Sequence, residues 1–247
     1  MVTYTRPPIV EAVFEVFVEP STVWNSASGS SLVQDFSSLF PGRAESFEPS
    51  KLEVRVGVDG SLTSDGPQKG ARRHRLWSSD GSQVVQFGAD MCALNILKNY
   101  RSFDAHSSRL EYLVASYSSH ARPLSIQWLG QRYINKIDTR TSDGGLERYF
   151  EIYPKLTNCI HGPFLLQVVA DSFDGGDVVL SIAFQSEQGG TATYQLEVYA
   201  RSKGPVDPRV SAVMEWHRLA HSRIRNVFEA SLTNEAKKAF GPEVLDV

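Results

Sequence analysis

The sequence predicts an α+β protein in which two β-α-β-β-β-α copies form one curved antiparallel sheet or incomplete barrel, with long helices packed on it. The same order of elements can be read in residues 8–121 and again in 124–232. Turn dipeptides typical of hairpins join neighbouring strands, and each copy has two helical segments for four strands. We therefore predict one pseudo-symmetric body, with copies at 1–122 and 123–247.

The first copy opens with a half-buried strand at 10–18, where apolar residues alternate from Val10 to Val18. Apolar residues at helical spacing predict a helix over 29–39, before Pro41-Gly42. Three strands and a second helix follow in this copy. The strands are predicted at 52–58, 72–79 and 83–97, with a hairpin turn at Asp80-Gly81, and the helix at 103–119.

The second copy repeats this order. A long strand at 125–138 needs a bulge or bend near Gly130, and 144–156 predicts a short helix ended by Pro154. The remaining strands are predicted at 164–172, 177–186 and 191–202. A long helix over 208–230 is expected to begin at an Asp207 cap, and a last short helix to begin at Thr233 and end at Gly241-Pro242. We expect both long helices on the concave face of the sheet.

The amino-acid composition and net charge exclude some classes of function. The 247 residues are 41% hydrophobic and 21% charged, with a formal net charge of −3. This balance argues against attraction of the whole surface to nucleic acid, so nucleic-acid binding would have to be local. The sequence has neither a signal-peptide pattern nor a long apolar run, which predicts a cytoplasmic protein with no membrane contact. Cys92 and Cys159 are predicted to be buried thiols.

Acidic residues follow the first strand. Glu11, Glu15 and Glu19 recur every fourth residue and therefore project from one face, where they would bind a divalent cation or a basic substrate, or simply form an acidic solvent face. Glu11, at the strand start, is predicted to form a buried ion pair with Arg132, because both lie on the first strand of their copy.

The strand 125–138 is unusually polar at its centre. Arg132 and Lys136 share one face, and Tyr133 and Asn135 share the other. Buried polar groups need partners, and small-ligand sites combine a few such groups with an apolar wall. Glu11, Arg132, Tyr133 and Asn135 are therefore the predicted binding residues.

A basic segment contains the patch Arg72, Arg73 and Arg75, together with Lys69 and His74. It would contact phosphate or RNA, or protect the edge of a sheet against unwanted pairing.

Catalytic motifs are absent from the sequence. His217 and His221 lie at i, i+4 on a helix, but no H-E-x-x-H pattern or third ligand accompanies them, so we interpret both as structural. Neither a nucleophile elbow nor a phosphate-binding loop is present. We predict no catalytic residue, no metal and no cofactor.

Four segments together resemble the TIGR04255 family, a sporadically distributed bacterial family: PPIVEAVFEV at 7–16, LWSSDGSQVVQFGADMCALN at 76–95, LGQRYINKID at 129–138 and HSRIRNVFEASLT at 221–233. The resemblance implies no activity, ligand or catalytic residue. The distribution of the family resembles that of mobile accessory genes, including those of defence and toxin–antitoxin loci.

Two functions follow as hypotheses. The first is a non-catalytic binding or interaction protein with a protein partner, as an accessory subunit of a defence or toxin–antitoxin locus. The second is a domain that processes a small ligand or nucleic acid at a site on the concave sheet face. The absence of a catalytic motif beside an intact scaffold favours the first.

Overall fold

The fold is described from a computed structural model, which covers residues 2–56, 62–140, 146–153 and 164–244. The strands are β1 (Val2–Tyr4), β2 (Ile9–Glu19), β3 (Ala44–Phe47), β4 (Ser50–Val56), β5 (Leu62–Lys69), β6 (Arg73–Trp77), β7 (Gln83–Gly88), β8 (Met91–Ile96), β9 (Ser125–Arg140), β10 (Leu165–Phe173), β11 (Gly176–Gln188), β12 (Thr191–Ser202) and β13 (Pro242–Val244). The α-helices are α1 (Ser26–Ser37), α2 (Asp104–Ala121), α3 (Val210–Ser231) and α4 (Asn234–Ala239).

Nine strands form one antiparallel sheet in the order β10-β11-β12-β9-β2-β8-β7-β6-β3. The sheet is not closed into a barrel, so β10 and β3 are its two edges. Two further antiparallel pairs, β1-β13 and β4-β5, lie outside it. The predicted α+β class with an antiparallel sheet is confirmed.

The two halves of the sheet share one strand order. In the first half, β2 is followed outward by β8, β7 and β6, and in the second half β9 is followed outward by β12, β11 and β10. The opening strands β2 and β9 pair with each other at the centre. This arrangement is the one expected for two copies, although the duplication itself stays a prediction.

In the first copy, one strand prediction was wrong, and another strand was predicted correctly but lies outside the main sheet. The segment 83–97 is not one strand: a turn at Ala89-Asp90 divides it into β7 and β8, which pair with each other. The turn is held by the Tyr117 hydroxyl, which donates to Gly88 O at 2.9 Å, and by the Arg73–Asp90 ion pair at 2.6 Å. The strand predicted at 52–58 is confirmed where the structure describes it, as β4, but it pairs with the unpredicted β5 outside the main sheet.

In the second copy, the predicted helix over 144–156 was wrong where the structure describes it. Leu146–Arg148 is a single 3-10 turn, and Phe150 then forms an isolated bridge to Leu232. The side chains of Leu146 and Phe150 are buried, so they anchor this segment individually. A bulge or bend of β9 was predicted near Gly130. In the structure the β2-β9 pairing shifts its register two to four residues earlier, between Ile126 and Trp128, opposite Val18 and Phe17.

The helix predictions were closer. Asn25 caps α1 through its side chain and Thr233 caps α4, accepting from Ala236 N at 3.2 Å. Asp207 was predicted to cap α3, but Arg209 occupies the cap position and Asp207 accepts from Arg209 N at 2.9 Å instead. No helix in the described part of the chain combines the length and apolar character needed to cross a membrane.

Helices α1, α2 and α3 pack against one face of the sheet, which we call the helix face. Its inward side chains are buried and form the core with these helices; they include Phe14, Phe87, Leu94, Leu129 and Leu196. Cys92 belongs to this core as a free thiol, as predicted, whereas Cys159 lies outside the described residues. Because side chains alternate along a strand, every second residue projects from the opposite face.

Candidate functional site

The four predicted binding residues lie on both sides of the sheet. Glu11 and Arg132 project from the face opposite the helices, which we call the polar face and which also carries Glu15, Trp128 and Tyr199. Tyr133 and Asn135 project from the helix face and are 5% and 1% exposed. The alternation was predicted correctly, but a single site lined by all four is geometrically wrong.

A chain of hydrogen bonds crosses five strands of the polar face. Arg75 donates to Glu45 Oε1 at 3.0 Å and to Gln86 Oε1 at 3.0 and 3.2 Å. Gln86 Nε2 donates to Asn95 Oδ1 at 2.9 Å, and Asn95 Nδ2 donates to Glu11 Oε1 at 2.7 Å. Since each amide both donates and accepts, the chain fixes the orientation of every member. The partner of Glu11 is thus the Asn95 amide and not an arginine.

Arg132 lies between two other carboxylates. Its guanidinium is 3.6 Å from Glu15 Oε2 and 3.5 Å from Glu197 Oε1. The predicted Glu11–Arg132 pair is therefore replaced by Glu15–Arg132. The β2-β9 register places Val13 opposite Arg132, with Glu11 and Glu15 on either side of it, and Glu11 is held by Asn95 instead. Burial raises the pKa of Glu15; Arg132 opposes that rise and Glu197 adds to it.

Arginine side chains stack on aromatic rings across this face. The guanidinium carbon lies over the ring at 4.0 Å for Arg43 and Trp77, 4.4 Å for Arg75 and Phe47, 4.8 Å for Arg132 and Tyr199, and 4.6 Å for Arg201 and Trp128. Trp128 also stacks on Phe17, with ring centroids 3.7 Å apart. The stacks reach from β12 at one side to β3 at the other, so the polar face combines guanidinium groups, aromatic rings and carboxylates.

The predicted basic patch is largely neutralised. Arg73 pairs with Asp90 and Arg75 with Glu45, while Arg72 is exposed in the loop before β6. His74 projects from the opposite face and shares a hydrogen bond with Ser46 Oγ at 2.9 Å. The side chain of Lys69 lies outside the described residues. The patch does not protect an edge strand, because β3 pairs outside β6.

The row of three acids is confirmed as lying on one face, but its members have separate partners. Glu19 accepts from Ser125 Oγ at 3.1 Å, Glu15 pairs with Arg132, and Glu11 accepts from Asn95. In the part of the chain that the structure describes, no group of three or more histidine, cysteine, aspartate or glutamate side chains is placed to hold a metal ion.

A second polar cluster is buried between the helix face and α3. The Tyr133 hydroxyl accepts from Gln131 Nε2 at 2.8 Å, and it shares hydrogen bonds with Tyr100 Oη at 2.8 Å and His221 Nδ1 at 2.9 Å. His217 Nδ1 lies 3.1 Å from Gln131 Oε1. The two helix histidines therefore bind two neighbouring sheet side chains, as expected for structural histidines.

The protonation states of this cluster follow from its burial. Desolvation lowers the pKa of the fully buried His217 to about 3, and it also lowers the pKa of His221. Burial raises the pKa values of Tyr100 and Tyr133, so both hydroxyls stay protonated at neutral pH. A neutral His217 donates from Nδ1 to the Gln131 oxygen, because that amide oxygen can only accept. The hydrogen bonds that join α3 to β9 in this cluster are therefore made between uncharged groups.

Several members of both clusters were missed by sequence reasoning. Gln86 and Asn95 interrupt otherwise apolar runs of β7 and β8, and that polar interruption was a usable signal, while Gln131 directly precedes the polar group of β9. Glu197 and Tyr199 alternate on an ordinary strand and carry no comparable signal. Only the β9-β12 register brings these two to Arg132.

Comparisons with known proteins leave the chain without a family. No protein-family model matches it, and no curated protein matches it. Among solved structures there is a match to the structure of the S. pombe Pct1 RNA triphosphatase in complex with the Spt5 CTD, at 8% sequence identity over 90% of this chain and 84% of that chain, with a TM-score of 0.13. A score this low shows no shared fold, so this match carries no argument about function.

Proposed function

We propose that this chain is a binding protein in the cytoplasm and that it binds a protein partner through the polar face. The family resemblance extends the proposal to an accessory subunit of a defence or toxin–antitoxin locus. The observation that carries the proposal is the set of arginine–aromatic stacks across that face. Tryptophan, tyrosine and arginine are the residues most enriched among those that dominate binding energy at protein interfaces.

The accessibility of these stacks supports binding. The side chain of Arg43 is 68% exposed, and Arg201 is also exposed, while the rings beneath them are half-buried. A guanidinium that is already stacked loses little conformational freedom when a partner covers it. The face is thus partly organised before binding, which lowers the entropic cost of association.

The charges of the face favour a protein over a nucleic acid. Glu11, Glu15 and Glu197 lie among the arginines, and Arg132 is already paired with two of them. A phosphate backbone requires unpaired cations and is repelled by carboxylates. Mixed charges with aromatic rings instead match the surface of another protein.

The shared strand order of the two halves supports a further part of the proposal: the chain arose by duplication of a β-α-β-β-β-α unit. The copies would then meet at β2 and β9, the strands that place Glu15 and Arg132 together. On this view the polar face spans both copies.

Affinity purification from the native host tests the proposed function. Tagged wild-type protein and the variants Arg201→Ala and Arg43→Ala are compared, with retained material identified by mass spectrometry. Arg223→Ala is the matched control, because Arg223 also approaches a ring, Phe173 at 5.9 Å, but lies on α3. We expect a stoichiometric protein partner with wild type and control that is about tenfold or more depleted in the polar-face variants.

Two other outcomes count against the proposal. A partner retained equally by all variants binds elsewhere on the molecule. A small molecule or oligonucleotide that depends on Arg201 and Arg43 favours the alternative function, a ligand- or nucleic-acid-processing domain with its site on this face. Thermal unfolding of each variant separates loss of binding from loss of fold.

A further inference from the structure

The edge strand β10 carries an exposed apolar segment. Leu165 is 68% exposed and Val169 is 65% exposed, and both project from the polar face on either side of Gln167. The five residues from Leu165 to Val169, LLQVV, contain no charge, proline or glycine. An edge strand of this composition is a template for pairing with another strand.

The opposite edge of the sheet is protected. β3 has only four residues, and Glu45 within it pairs with Arg75 at 3.0 Å and lies 3.7 Å from Arg43. Short length and charge are the usual devices that prevent an edge from pairing. Within the described residues no strand pairs outside β10, so the contrast singles out β10 as the edge for association.

The backbone of β10 presents its free groups at alternate residues. Phe184 N donates to Phe164 O at 3.2 Å, so this is a hydrogen-bonded pair of the β10-β11 ladder. In an antiparallel ladder such pairs alternate with pairs whose N–H and C=O groups point away from each other. The register therefore directs the backbone groups of Leu165, Gln167 and Val169 away from β11, towards the open edge.

We propose that β10 pairs antiparallel with β10 of a second copy of this chain, across a twofold axis at Gln167. The segment is self-complementary about that residue. The axis places Leu165 opposite Val169 of the second copy on the polar face, and Leu166 opposite Val168 on the helix face. Leu166 and Val168 already pack against the core, so this side of the pairing continues an existing apolar layer.

The backbone fits the same axis. Gln167 faces Gln167 of the second copy, and Leu165 faces Val169. The backbone groups of these residues all point outward, so each of these pairs exchanges two hydrogen bonds. The register shift between Val169 and Asp171 ends the regular stretch, and Asp171 turns to Arg223, 3.7 Å away. An isologous contact of this kind closes as a dimer rather than growing into a filament.

The pairing joins both sheets into one. A twofold axis through a continuous antiparallel pair runs perpendicular to the sheet, so the polar faces of both copies lie on the same side. The inference does not depend on the proposed function, because it rests on β10 alone. If both hold, the dimer presents two partner-binding surfaces in one plane.

Sedimentation equilibrium of the full chain tests the dimer, at roughly 100 µM protein, where an association with a micromolar Kd is largely complete. Gln167→Pro removes the central outward N–H without touching the β11 ladder, and is expected to raise the dimer Kd about tenfold or more. Gln167→Thr keeps the N–H and is the control. It also loses the side-chain bond from Gln167 to Ser181, so it isolates the backbone effect.

A charge exchange at the axis is the sharper test. Gln167→Lys and Gln167→Glu each place like charges directly opposite each other, so each is expected to dimerise about fivefold or more weakly. An equimolar mixture of the two is expected to form a heterodimer. A monomeric wild type, or a dimer that none of these variants weakens, overturns the proposal. These variants stay informative even if Gln167→Pro fails to fold.

Discussion

Gly130 lies at a crowded point of the polar face. A Cβ built on it would meet Glu15 Oε2 at 2.7 Å, the Tyr199 hydroxyl at 3.0 Å and Trp128 Cζ3 at 3.1 Å. The missing side chain is what allows a carboxylate and two rings to close over the backbone of β9. A glycine within a strand often marks such a close approach.

We expect Gly130→Ala to lower the free energy of unfolding by about 1–3 kcal/mol, because the added methyl group overpacks this site. Urea denaturation measures the change. The double variant Gly130→Ala with Glu15→Ala removes the nearest contact, so the added methyl group should cost less in the Glu15→Ala background than in wild type. Strictly additive effects would show that the Glu15 carboxylate is not the obstacle.

The buried His217 predicts a pH dependence of stability. Its pKa is about 3 in the folded protein, against an ordinary value of 6.5. As the pH falls below 6.5, the unfolded chain takes up a proton there that the folded protein does not, so stability is lost until the pH reaches the folded value. We expect His217→Gln to show a shallower fall of the unfolding free energy over this range.

Urea denaturation at a series of pH values measures that slope. His120→Gln is the control for loss of a histidine, since His120 lies on α2 and pairs with Asp35 at 2.9 Å. An unchanged slope in His217→Gln would mean that residue 217 is protonated equally in both states.

At the scale of elements, each long helix is fixed to the sheet by polar groups as well as by apolar packing. His217 and His221 of α3 bind Gln131 and Tyr133 of β9, and Tyr117 of α2 reaches the turn between β7 and β8. Buried hydrogen bonds that are fully satisfied add directional contacts, which rigidify the packing and specify one arrangement of the core. These contacts therefore select one position for each helix.

Tyr117→Phe tests this role for α2. The hydroxyl donates to Gly88 O at 2.9 Å and contacts Ala89 O at 3.3 Å, and the ring is buried. Its loss leaves a buried carbonyl without this donor, so we expect about 1–2 kcal/mol of destabilisation by chemical denaturation. Tyr112→Phe on the same helix, where the tyrosine is 43% exposed, should change stability little. Equal destabilisation by Tyr117→Phe and Tyr112→Phe would show that the hydrogen bond to the turn is not the cause.

At the scale of the whole molecule, the two halves share their centre. β2 pairs with β9 along most of its length, and Phe14 of the first half contacts Tyr133 and His217 of the second. The chain ends also meet, through β1 and β13. The pair β2-β9 is thus both the boundary between the predicted copies and the middle of one core.

We therefore expect the fragments 1–122 and 123–247 to be unfolded when each is expressed alone, because each would expose the apolar side chains of a central strand. Co-expressed fragments are expected to associate and regain the circular dichroism spectrum of the intact chain. Cooperative unfolding of either fragment alone would show that the copies are independent domains.

Local pattern by itself determined the class of the protein, the alternation of β2 and β9, the two long helices and the Thr233 cap. These follow from residue spacing, which the sequence contains. It did not determine where the 83–97 segment turns, that β5 exists, or that 144–156 lacks a regular helix where described. At the turn after β7 the distant residue Tyr117 outweighs weak local preferences, and at Phe150 the distant residue Leu232 does so.

Only the tertiary structure decided the candidate site. The sequence indicated an acid of the first strand for Arg132, but in the structure Asn95 holds Glu11 and Glu15 is the acid beside Arg132, while strand register adds Glu197 and Tyr199. Register is set by the packing of whole strands, and the sequence of a single strand does not specify which residues lie opposite it.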